Sequence, residues 1–315
     1  MKRSFLALAA AALLALPLLA GEYYVNLASQ ILIAAVFALS LNLLVGYCGL
    51  TSLGHAAYLG LAAYFSAWFS LKLGLGQLYT APLALGCTTL CAALFGLVAL
   101  RASGLGFLMI TLAIGQVLWG LAFRWASVTG GDNGLSGLTR PSPFGLDLGG
   151  ATAFYYFTVV IAVAAAVAMT LLAGSAAGAL MRGTRDQPRR MGALGHNVWL
   201  VRYLAFVAAG FFGGVAGLQY VWYHKFVHPH SLSLTASAET LLMVIAGGSG
   251  TVAGPVVGAV IVVLLKSYVS SYVERWTMLL GFVFLMIVLF MPDGLVPGLR
   301  RAWSRVIGKP GEKRS

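Results

Sequence analysis

Stretches without Asp, Glu, Lys or Arg divide the chain into residues 4–21, 23–71, 73–100, 102–123, 148–181, 203–224, 240–265 and 276–292. A charged side chain costs about 2.5–3.5 kcal/mol at the centre of a membrane helix, and a crossing takes about 20 residues, so each stretch of that length predicts at least one transmembrane helix. The 49-residue stretch from Tyr23 to Leu71 predicts two, divided near Gly46 to Gly54, which puts six predicted helices before Arg182. After Arg190 three stretches remain, but Gly247, Gly248, Gly250, Gly254 and Pro255 break one of them into short apolar pieces, 237–247 and 255–272.

Composition and charge sharpen this pattern. Apolar residues make up 60% of the 315 and charged residues 9%, against roughly 25% charged in an average globular domain, and the mean hydropathy is +0.90. A soluble two-domain enzyme, a nucleic-acid binder and a disordered chain are excluded, despite the isoelectric point of 9.9. The basic residues fall in three clusters: Lys2 with Arg3, Arg182 to Arg190, and the tail from Arg300, together +10 of the net +12. Basic segments stay in the cytoplasm, so an even number of crossings must separate the clusters. The expectation is an all-α, polytopic transmembrane helix bundle of about ten spans with glycine-broken helices and both termini cytoplasmic; nine spans with a re-entrant segment is the alternative. Residues 1–20 also resemble a signal peptide ending at Ala20, but Leu18 suits the minus-three position poorly and cleavage would spoil the even count. The expected division is 1–26, a basic start and first helix; 27–297, the transmembrane domain; and 298–315, a basic cytoplasmic tail.

Soluble-type chemistry finds little footing. Cys48, Cys87 and Cys91 lie in apolar surroundings and read as small buried hydrophobes. Gly248-Ser-Gly250-Thr-Val-Ala253 matches G-x-G-x-x-A without the strand and helix that a dinucleotide fold needs, and a Walker A phosphate loop is absent. Two G-x-S-G sequences, around Ser136 and Ser249, raise an intramembrane serine protease, but a histidine base on a later span is missing. His224, His228 and His230 have ligand-like spacing, yet Pro229 breaks the helix that would align them, so no metal and no cofactor is expected. Gly210 with Gly214, Gly213 with Gly217, and Gly250 with Gly254 and Gly258 have the four-residue spacing that lets membrane helices approach closely.

Leu43 to His55 and Val244 to Pro255 are glycine-interrupted, hydroxyl-bearing stretches inside apolar sequence, one in each half of the chain. Paired interruptions of this kind point to a translocation route, with helix packing as the plainer reading. The candidate pathway residues are Gly46, Gly49, Ser52, Gly54, His55, Thr111, Gly247, Gly248, Gly250 and Gly254, with Glu239 the main acidic residue in apolar sequence.

The segment Ser40-Leu-Asn42 through Gly46-Tyr-Cys-Gly49, Ser52-Leu-Gly54-His55 to Tyr58-Leu-Gly60 resembles the first signature of the branched-chain amino-acid ABC transporter permeases. Gly106 to Ala113, Thr129 to Leu135, Ala205 to Gly217 and Ser237 to Ala259 follow in the family's order, so the similarity covers nearly residues 27–297. The resemblance implies a bacterial inner-membrane permease subunit that works with a second permease, two ATP-binding subunits and an extracytoplasmic substrate-binding protein, in lipid and without nucleic acid. It makes 178–197 the cytoplasmic coupling loop, with Arg182, Arg185, Asp186, Arg189, Arg190 and Gly195 as candidates for contact with the ATPase. Ala179 and Pro188 depart from the family pattern there, although Pro188 can start and Gly195 can end a short surface helix. The implied function is import of branched-chain or related small amino acids driven by ATP hydrolysed elsewhere, which makes the chain no enzyme. A stand-alone secondary transporter is the rival, and it would want intramembrane carboxylates beyond Glu239.

Overall fold

The computed structural model describes residues 13–17, 21–142, 147–269, 276–291 and 294–298. The basic start, the signal-like end at Leu18 to Ala20 and the basic tail therefore lie outside the described residues. The longer helices are α1 Glu22–Asn42, prolonged by a π-type segment Leu43–Cys48; α2 Ala56–Leu73; α3 Gln77–Ala99; α4 Leu105–Arg124; α5 Ala151–Gly174; α6 Ala176–Asp186; α7 Pro188–Ala193; α8 Val198–His224; α9 Leu234–Gly247; α10 Ala253–Val269; and α11 Trp276–Phe290. Two-residue strands β1 Leu135–Ser136 and β2 Phe226–Val227 pair antiparallel at one end of the bundle. Among the described residues, five helices are long and apolar enough to cross a membrane: α1 with its π segment, α3, α4, α5 and α8.

The division of the Tyr23 to Leu71 stretch falls at residues 49–55, between the π segment and α2. The glycine break after Gly247 likewise separates α9 from α10. Other boundaries depart from the charge-free stretches. The stretch 148–181 is two helices, because Ser175 adopts an extended conformation and its hydroxyl donates to Leu172 O, ending α5. Helix α8 starts at Val198 and so includes Arg202, whose guanidinium donates to Thr184 O at 3.2 Å. Helix α9 starts at Leu234 and so includes Glu239. A charge inside a helix is tolerated where it finds a partner, which a charge-free criterion cannot register.

Glycines bring the backbones together. Helix α8 runs antiparallel to α3, with Gly210 against the Ala92 methyl and Gly214 beside Leu85 and Thr88, and parallel to α2, with Gly217 against the Leu59 carbonyl. Helices α9 and α10 fold back as a hairpin in which Gly247 meets Gly254 and Gly258 meets the Met243 carbonyl, so close that a Cβ at Gly247 or Gly258 would overlap backbone. Gly250 lies in the connection, not on α10, so the expected glycine row on one helix is only Gly254 with Gly258. At 14 and 17 residues, α9 and α10 measure about 21 and 25 Å, short of the roughly 30 Å hydrocarbon core.

The end of the bundle that carries β1 and β2 is fastened by Arg140. Its guanidinium donates to the carbonyls of Leu148 and Gly149 at 3.0 Å each and to Trp222 O at 3.4 Å, and it lies 4.3 Å from the Phe154 ring centre. Burial pulls its pKa below the usual arginine value, and the side chain still stays charged at neutral pH. Charge-assisted hydrogen bonds contribute about 1.5–3 kcal/mol. Arg140→Ala is therefore expected to lower the melting temperature of the detergent-solubilised protein by a few degrees, measured by size-exclusion after heating. Arg140→Lys should recover part of the loss, since an ammonium cannot both fork to the carbonyls and stack on the ring.

Candidate functional site

The two glycine breaks meet. Helix α1 ends in a π-type segment whose last carbonyls lack helical partners, and Gly49 at φ +68° turns the chain away. Asn42, on the last turn of α1, donates from Nδ2 to Thr251 O and accepts at Oδ1 from Gly250 N, both at 2.9 Å, so one side-chain amide clamps the second break. The backbone of Gly46 packs against that of Gly250, leaving no room for a Cβ on Gly46. Gly294, after α11, rests on Gly248 with the same lack of room.

Into this junction reaches Arg185 from α6. Its guanidinium donates through one terminal nitrogen to Gly46 O at 2.5 Å and through Nε to Asp186 at 2.8 Å. Its side-chain carbons lie against Gly49. A cation at the C-terminal end of a helix satisfies orphan carbonyls and complements the helix dipole. Arg182 performs a similar service for α5, donating to Ala173 O at 2.8 Å, with its guanidinium 5.9 Å from the Tyr47 ring centre. Arg189 and Arg190, on α7, are exposed. Helix α7 spans Pro188–Ala193, and Gly195 at φ +85° ends the turn, with His196 N donating to Met191 O.

A second cluster forms on the other side of the 49–55 segment. His55 is fully buried, stacks on Phe37 at 5.2 Å and lies 2.8 Å from Ser40 Oγ. The Ser40 hydroxyl donates to Phe37 O, so its proton is spent there and the His55 Nε2–H donates to Ser40. Thr111 Oγ1 accepts from Leu53 N, the Thr111 carbonyl packs on Gly54, and Ser52 Oγ accepts from Gly54 N. Ser237 of α9 accepts from Ala56 N at 3.0 Å. Ser52, Gly54, His55 and Thr111 are thus one buried polar cluster, separate from the Arg185 junction that holds Gly46, Gly49 and Gly250.

Glu239 belongs to neither. It faces a cavity of about 450 Å³ between α1, α8, α9 and α10. Lys266 of α10 donates to both its oxygens, at 3.2 and 3.4 Å. Ile33, Phe37, Leu59, Met243 and Val262 form apolar walls. Around the ion pair are His224, whose ring lies 4.4 Å from that of Tyr220, and Gln30, which donates to Tyr223 OH at 2.9 Å. Sequence reasoning passed over Lys266, although a signal existed. Glu239 and Lys266 bound the charge-free stretch 240–265 on either side of its glycine break, and folding that stretch at the break brings its two ends together.

Ser136 and Ser249 are exposed, and His228 instead faces Asp132 at 3.6 Å. Among the described residues no three His, Cys, Asp or Glu side chains converge.

Apolar helices, glycine-packed crossings and a basic surface helix tied to two helix breaks define an integral membrane protein of the polytopic helical class. The chain belongs to the branched-chain amino acid transport system / permease component family, whose model matches residues 23–290. It is 26% identical to the high-affinity branched-chain amino acid transport system permease protein LivM of Salmonella typhimurium and 25% identical to LivM of Escherichia coli. Each alignment covers 90% of this chain and 72% of the relative. No solved structure gives a significant match.

Proposed function

We propose that the chain is the membrane-spanning subunit of an ATP-driven importer in a bacterial inner membrane, moving branched-chain or related small amino acids. The Arg185 junction carries this reading, because it ties a basic surface helix directly to both helix breaks of a family permease. Basic clusters orient toward the cytoplasm, which places α6 and α7 inside and β1 and β2 outside. The basic clusters call for an even number of spans, and the reading of about ten counts the short helices α9 and α10, packed as a hairpin, as two of them. Separate ATP-binding subunits dock on the exposed α7 surface at Arg189 and Arg190. Their closure moves α6, and Arg185 passes the displacement to Gly46 and Gly250. A second permease completes the passage, and a substrate-binding protein delivers cargo at the outer face. The secondary-transporter reading is weaker, since ion coupling would want intramembrane carboxylates beyond Glu239.

The chain holds no Walker A loop, so the purified subunit should hydrolyse no ATP. The assembled complex in proteoliposomes should hydrolyse it, faster when amino-acid-loaded binding protein is present. Robust hydrolysis by the isolated chain would overturn the proposal.

A further inference from the structure

We propose that the cavity between α1, α8, α9 and α10 binds the zwitterionic head of an amino acid, with Glu239 receiving the α-ammonium, Lys266 the α-carboxylate, and the apolar walls the side chain. The inference rests on the amino-acid import reading and adds a recognition site within the permease itself, on residues that the helix breaks do not include.

Three observations support it. First, Glu239 and Lys266 lie on two apolar helices, where charges are costly and usually mark a substrate or ion route. An ion pair with one partner half exposed contributes little to stability, which is weak support for a purely stabilising role. Second, the two partners are unequal: the Glu239 side chain is 14% exposed and that of Lys266 is 49% exposed on a flexible stem. The ammonium of Lys266 can therefore move aside while the carboxylate stays fixed. A zwitterion entering the gap pairs both protein charges at once and leaves neither bare, whereas a ligand with a single charge strands one of them. Third, the volume of about 450 Å³ falls among small-molecule sites, and the mixture of apolar walls with a few converging polar groups is their usual lining. Because the specific contacts are to groups common to all amino acids, the site selects the zwitterion, and the apolar walls select only against polar side chains.

The test uses the assembled complex in nanodiscs without binding protein. Ala34, which lines the cavity, is changed to Cys in a background with Cys48, Cys87 and Cys91 replaced by alanine, and maleimide labelling of the new thiol is timed. L-Leucine at ten times its half-protecting concentration should slow labelling about tenfold. N-Acetylleucine and leucinamide, each lacking one charge, should not slow it. Glu239→Gln and Lys266→Gln should each abolish protection by leucine. The double exchange Glu239→Lys with Lys266→Glu keeps an ion pair but reverses its sense, and should stay unprotected. Absence of protection in the parent, equal protection by the two analogues, or full protection in Lys266→Gln would each overturn the site. Should Glu239→Gln fail to assemble, Lys266→Gln and the analogues decide the matter. Uptake by the parent complex with its binding protein is measured alongside: normal leucine uptake without protection sinks the site alone, and no amino-acid uptake at all sinks the import reading beneath it.

Discussion

Arg185→Ala is expected to leave ATP hydrolysis by the assembled transporter in place while amino-acid uptake falls roughly ten- to a hundredfold. The range follows from the lost contact: a hydrogen bond to a charged donor contributes about 1.5–3 kcal/mol, and each 1.4 kcal/mol is about a factor of ten. Arg185 donates to Gly46 O and lies against Gly49, so it bears on the first break directly and on the second through the packing of Gly46 on Gly250. On the proposed coupling, the surface helix without it still follows the ATPase, but the breaks no longer follow the helix. Arg185→Lys should restore part of the uptake, as an ammonium can reach one carbonyl but cannot also keep the Nε contact to Asp186. Charge reversal at Arg189 and Arg190 should act differently, weakening ATPase assembly itself, because these side chains point outward and touch neither break. Uptake and hydrolysis measured in the same vesicles separate the outcomes. If Arg185→Ala loses both in proportion to protein abundance, the side chain is a structural clamp and the coupling route runs elsewhere.

The features legible in the sequence are those with local causes. Pro188 fixes a helical φ and Gly195 supplies a left-handed one, so α7 could be bracketed from two residues. The overlong stretch from Tyr23 to Leu71 had to be divided, and the glycines marked where. Long-range juxtapositions were not legible. Arg185 bonds to a carbonyl 139 positions away and Asn42 to one 209 positions away, and nothing in either neighbourhood encodes its partner. The expected pathway residues accordingly fell into separate places: Gly46, Gly49 and Gly250 at the Arg185 junction, Ser52, Gly54, His55 and Thr111 in a buried cluster, Glu239 in a cavity. Spacing marks where a helix must break, but the break's neighbours come from tertiary packing, which also decided that Arg202 and Glu239 could lie inside helices.

Gly54→Ala and Gly250→Ala should separate packing from conduction, because the two glycines differ in what a methyl group would meet. At Gly54 a Cβ would overlap the Thr111 carbonyl, which is backbone of α4 and cannot swing aside. Overpacking of that kind costs about 1–3 kcal/mol or more, so Gly54→Ala should cut the amount of folded protein several-fold, and uptake should fall in proportion. At Gly250 the nearest atoms to a Cβ are Gly46 O at 3.3 Å and the Arg185 guanidinium at 3.7 Å, a tight but open space. The cost there comes mainly from the left-handed φ of +79°, about 1–2 kcal/mol for a residue with a Cβ. Gly250→Ala should thus accumulate to near-normal levels, keep its ATPase, and still lose most uptake, since the methyl would press on the Arg185–Gly46 hydrogen bond through which the proposed coupling runs. Larger substitutions blur the distinction: Gly250→Leu adds a branched side chain to a junction closed by Asn42 and Arg185 and should lower both abundance and uptake. Abundance, ATPase co-purification and uptake have to be measured on the same preparations. A Gly250→Ala protein that transports at the rate its abundance predicts would mean that the junction is only a place where helices pack, and the passage would then have to be sought around Glu239 and Lys266.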